Sequence, residues 1–67
     1  MKGVKFKVID MLGMEPVKLK APVLPRVGDT LYLANEIGEV IYVDHVFQRC
    51  VTGGYSFKEY VVMVKWK

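Results

Sequence analysis

The chain predicts an all-β fold, a small five-stranded SH3-like barrel with little or no helix, and three observations carry that prediction. Apolar residues recur with a period near two. No segment shows a capped 3.6-residue apolar stripe, because Gly, Pro and β-branched residues are spread along the whole length. Short apolar runs are separated by clusters of turn-forming residues. Sixty-seven residues with 52% apolar and 25% charged content describe one domain, residues 1–67, with room for a single core.

The elements follow in order. Val4-Lys5-Phe6-Lys7-Val8 alternates strictly, which sends Val4, Phe6 and Val8 to one face of a strand and both lysines to the other. Asp10-Met11-Leu12-Gly13 supplies a turn, and Val17-Lys18-Leu19-Lys20 resumes the alternation, so a hairpin is expected. Residues 21 to 29 contain Pro22 and Pro25, which fix φ and remove backbone donors; this segment is read as a connecting arch. Leu31-Tyr32-Leu33 is a short strand closed by a turn over Asn35 to Gly38. Glu39 to Arg49 is the longest strand, and its broken alternation predicts a bulge or bend near Asp44. Thr52-Gly53-Gly54 is a hairpin turn, because paired glycines permit positive φ. Phe57 to Trp66 closes the barrel. An OB-like barrel is the alternative, but it ordinarily places a helix between strands three and four, where only Asn35 to Gly38 is available.

A domain this small buries only about 60% of the surface its unfolded chain exposes, so its core is marginal without reinforcement. One cysteine, Cys50, excludes an intrachain disulfide, and one histidine, His45, argues against a metal site. Oligomerisation is the remaining reinforcement, with a self-sufficient monomer as the alternative. Seven large rings, Tyr32, Tyr42, Phe47, Tyr55, Phe57, Tyr60 and Trp66, exceed what so small a barrel encloses, which also favours assembly. No apolar run reaches the roughly 20 residues that span a bilayer, and Met1-Lys2-Gly3 leads into alternation instead of a signal-peptide block. A lone thiol fits a reducing compartment, so a cytoplasmic protein with no membrane partner is expected.

Catalysis finds little to work with. Ser56 and His45 are the only serine and histidine, nothing places them together, and no cofactor motif is present. Gly53-Gly54 lacks the Lys-Ser/Thr and the helix of a phosphate loop. A binding protein without enzymatic activity, cofactor or metal is therefore expected.

Charge suggests what it binds. The net charge is +3, distributed as two basic ends around an acidic centre: Lys2, Lys5, Lys7, Lys18 and Lys20 precede Asp29, Glu36, Glu39 and Asp44, and Arg49, Lys58, Lys65 and Lys67 follow. Guanidinium geometry suits phosphate, which singles out Arg26 at the tip of the arch and Arg49; the competing reading pairs Arg26 with Asp29. An intersubunit pocket of Arg26, His45 and Arg49 with the rings of Tyr42, Phe47 and Tyr55 would hold a small phosphate-bearing, nucleotide-like ligand. Alternatively, pairing of the closing strand with the first would gather Lys5, Lys7, Lys18, Lys20 and Lys65 into a basic sheet face for nucleic acid. Against that, lysines on edge strands also defend against aggregation, and no single strand interleaves rings with cations. A structural or protein-interaction module is the third reading.

Pro25-Arg26-Val27-Gly28-Asp29-Thr30-Leu31, followed by Gly38-Glu39-Val40-Ile41-Tyr42-Val43-Asp44-His45-Val46-Phe47 and a final apolar strand, resembles short uncharacterised β-barrel proteins of bacteriophages and mobile elements. The likeness runs from residue 22 to 66. It implies a compact barrel of viral or prophage origin acting in the host cytoplasm. Some such proteins form oligomers that trap nucleotide immune signals, and the resemblance extends that expectation to this chain without marking any binding residue.

Overall fold

A computed structural model describes residues 3–67; the Lys2 charge counted above lies outside the described residues. The fold is all-β, with no helix among them. Five strands, β1 (Val4–Asp10), β2 (Val17–Ala21), β3 (Thr30–Leu33), β4 (Glu36–Arg49) and β5 (Tyr55–Trp66), form one sheet in the order β2-β1-β5-β4-β3. The sheet curls into a half-barrel, the barrel-like, helix-free architecture expected from the period-two pattern.

Three of the four pairings are antiparallel hairpins: β1 with β2, β3 with β4, and β4 with β5. The fourth, β1 with β5, is parallel over Lys7↔Val61 to Asp10↔Val64. Alternation on these strands turns Phe6, Val8, Val40, Val62 and Val64 to the concave side, where they form the buried core. Leu24 of the arch packs against that cluster, and Pro25 beside it is buried. Hydrogen bonds from Gly28 N to Val40 O and from Val40 N to Asp29 O, both 2.9 Å, fasten the arch to the middle of β4.

Asp10 ties the two ends of the chain together. Its Oδ1 accepts from the backbone N–H groups of Leu12 and Met14 at 3.0 and 2.9 Å, which shapes the β1–β2 turn. Its Oδ2 accepts from Trp66 Nε1 at 2.9 Å, so the end of β1 is anchored to the end of β5. The Met14 amide, with smaller contributions from the Trp66 indole and the other turn amides, holds the carboxyl below its ordinary value.

Two local readings change. The turn expected over Asn35 to Gly38 is tighter: β4 begins at Glu36, and Ala34 takes the positive φ, 55°. Gly38 is not a turn glycine; it lies flat in β4 beneath Trp66, and a Cβ there would sit 3.1 Å from the indole ring. The distortion expected near Asp44 is present as a pair flanking it. Ile41 is the extra residue between the Val40↔Val64 and Tyr42↔Met63 pairs, and Lys58 is the extra residue opposite the Val46/Phe47 step.

β4 and β5 outrun their neighbours. β3 covers β4 only over Glu36–Glu39, and β1 covers β5 only over Val61–Val64, so His45–Arg49 and Tyr55–Tyr60 project as a two-stranded arm. The radius of gyration is 13.2 Å, where a compact chain of this length would have roughly 11 Å.

Candidate functional site: a lysine cleft beside an aromatic arm

Where β1 and β5 part company, the sheet opens into a cleft of about 870 Å³. Gly3–Lys7 and Lys18–Lys20 line one side, and Phe57–Tyr60 line the other. The hairpin register sets Lys5 opposite Lys20 and Lys7 opposite Lys18, two cross-strand pairs of like charge. Glu59 relieves one: Lys7 Nζ donates to Glu59 Oε2 at 3.0 Å, the one ion pair among the described residues. Lys5, Lys18, Lys20 and Lys58 are exposed at the cleft without a carboxylate partner.

The opposite wall supplies rings. The Lys58 bulge rotates Phe57 onto the face of Tyr60, and their ring centroids lie 4.6 Å apart. Phe47 meets Phe57 edge-on at 5.7 Å, and His45 meets Tyr60 edge-on at 5.0 Å. Further out, Arg49 Nη2 donates to Tyr55 Oη at 3.1 Å and its guanidinium lies 5.4 Å from that ring's centroid. The arm thus carries a continuous aromatic face ending in a cation.

The six residues proposed for an intersubunit pocket are divided within one chain. His45, Phe47, Arg49 and Tyr55 share the arm's ring face, whereas Tyr42 is at odd spacing from them along β4 and belongs to the other face. Arg26 lies with the arch near Val40, roughly 30 Å along β4 from Arg49 at 3.3 Å per residue. Its expected pairing with Asp29 takes a different form: the Asp29 carboxylate accepts from the Arg26 backbone N–H at 2.8 Å, not from the guanidinium. The guanidinium makes no ion pair or hydrogen bond among the described residues.

The lysine face also needs correction. Lys5, Lys7, Lys18 and Lys20 come together as expected, but Lys65 does not join them. Because β5 runs parallel to β1, Val61 sits beside Lys7 and Lys65 lies beyond the far end of that pairing, opposite Glu39. Lys58 takes its place in the cleft. Rings and cations meet at one cleft from different strands, the cations mostly from the β1–β2 hairpin and the rings from β5, although the lysine rows lie on the face opposite Phe6 and Tyr60 packs on the Phe6 side. Only knowledge that β1 and β5 pair in parallel and diverge before Lys7 would have pointed to Phe57, Lys58 and Tyr60.

No protein-family model, curated protein or solved structure matches the chain. No helix among the described residues is long and apolar enough to cross a membrane.

Proposed function

We propose that this chain is a non-enzymatic binding protein whose lysine cleft takes a phosphate-bearing, nucleotide-like ligand, with the phosphates on the lysines and the base against Phe57 and Tyr60. The observation that carries the reading is the unrelieved Lys5–Lys20 cross-strand pair at the rim of an open cleft that Phe57 and Tyr60 also line, the lysines from one face of the sheet and the rings from the other. Directly opposed like charges destabilise a sheet, and a bound polyanion removes that penalty. Defence of an edge strand accounts for Lys18 and Lys20 on β2 but requires no second row of lysines on β1. A base that reaches Phe57 or Tyr60 in the same cleft gains stacking, worth about 1–3 kcal/mol per base.

The chemistry is shared by a free nucleotide and by a nucleotide unit within a single strand, and salt separates them. A strand that occupies all of Lys5, Lys18, Lys20 and Lys58 neutralises up to four phosphates, and its affinity falls roughly 50-fold between 50 and 200 mM salt. A mononucleotide, with fewer phosphates, falls much less. The measurement is fluorescence anisotropy with a labelled oligothymidylate and, separately, thermal shift with nucleoside triphosphates. Lys18→Glu/Lys20→Glu should abolish either response while leaving the chain folded. Silence from both ligands at low salt, or binding indifferent to the charge reversal, would sink the reading. Trapping of a host nucleotide signal, the role implied by resemblance to phage barrels, is one use of such a cleft.

A further inference from the structure

The β4 side of the arm has its own unmet requirement. From Tyr42 to Arg49 no strand lies beyond β4, so every second residue there turns its N–H and C=O outward, and an isolated two-stranded ribbon is marginal in water. Phe47 and Tyr42 are more than half exposed along this stretch, at 56% and 59%. Charged residues and prolines are the usual protection for such an edge, yet it carries only Asp44 and Arg49 near its ends and no proline.

We propose that a second copy of this chain covers that edge, with the two β4 strands pairing antiparallel about a two-fold axis at Val46. Three observations commit the edge to this occupant. The first is self-complementarity. Centred on Val46, the register sets Val46 against its own copy, His45 against Phe47, Asp44 against Gln48 and Val43 against Arg49; no like charges oppose, and each pair shares a face. The second is area. The chain exposes 5302 Å², whereas a folded monomer of 7.7 kDa exposes roughly 4,300 Å². The excess, about 1,000 Å², is of the order of the roughly 800 Å² that each partner contributes to a standard interface.

The third is steric fit. The arch bonds β4 at Val40 and not beyond, so the neighbouring edge is open from Ile41 onward. The pairing ends where the second copy's Arg49 reaches Val43, about 10 Å along β4 from the Val40 anchor of the arch that carries Arg26. The arginines that are far apart in one chain thereby approach each other between two. The lysine cleft lies on the opposite edge of the arm, against β1, and stays open in the pair.

Sedimentation equilibrium of the full chain tests this, together with two substitutions at the axis. Wild type should sediment as two copies. Val46→Lys and Val46→Glu each place like charges at the two-fold and should each raise the dissociation constant about tenfold or more, while an equimolar mixture restores association by pairing Lys with Glu. Far-UV circular dichroism checks that each variant is folded. Wild type remaining a single copy at high concentration overturns the proposal, as does a mixture no tighter than either variant alone. Should the variants fail to fold, amide exchange of wild type decides: the Ile41–Arg49 amides must gain protection with concentration, and their failure to do so equally overturns it.

Discussion

Asp10 shows how one side chain can shape a turn and tie the first strand of a small sheet to the last. It serves the Leu12 and Met14 amides and the Trp66 indole with one carboxylate, and those donors hold its ionisation below the ordinary 3.8. A carboxyl with a lowered folded-state value stabilises the protein above its unfolded value and loses that contribution as pH falls through the folded value. Asp10→Asn should therefore melt at lower temperature than wild type at neutral pH, and the gap should narrow as melts are repeated below pH 3.8. A gap that stays constant down to pH 2.5 would assign the effect to shape instead of charge. Gly38 makes the opposite kind of contribution, by what it lacks. Its missing Cβ leaves room for the Trp66 ring and for Val64, at 3.1 and 3.2 Å from where a Cβ would stand. Gly38→Val should overpack this contact at a cost of about 1–3 kcal/mol and displace the indole from Asp10, seen as a shift in tryptophan emission.

Among the elements, the half-barrel and the arm are held by different forces. Val62 is fully buried in the core cluster, and Val62→Ala removes two methyl groups there. The expected loss is about 2 kcal/mol, enough to lower the melting temperature by roughly 10 °C. Phe57 is 45% exposed and touches the rings of Phe47 and Tyr60. Phe57→Ala should cost only about 1 kcal/mol of stability while weakening nucleotide binding, because its ring borders the cleft more than it fills a core. If it proved as destabilising as Val62→Ala, the arm would belong to the core and the stacking role would fall. The alternation of β1 and β2 made their lysine rows visible from residue spacing alone. The bulge at Lys58 was not visible, because it depends on which residue of β4 each residue of β5 meets.

For the whole molecule, the extended shape and surplus surface bear on stability as well as on partners. A chain that pairs through β4 gains stability by mass action, so its melting temperature should rise with protein concentration, whereas the Val46→Lys variant should show little such dependence. Differential scanning calorimetry over a hundredfold concentration range would show the difference, and a flat wild-type profile would count against pairing. Nucleotide in the cleft should add to this rise independently, since cleft and pairing edge lie on opposite sides of the arm.

Period-two alternation, prolines confined to the connections between strands and paired glycines at residues 53 and 54 suffice to specify a helix-free sheet of five strands, because side-chain direction and turn geometry are local properties of the backbone. The same local logic brought Lys5, Lys7, Lys18 and Lys20 together across a hairpin. The parallel union of β1 with β5, which excludes Lys65 from that group and opens the cleft against Phe57 and Tyr60, joins segments more than fifty residues apart. Such a pairing is chosen by the packing of Phe6, Val8, Val62 and Val64 into one core, a condition that no single segment of the chain contains.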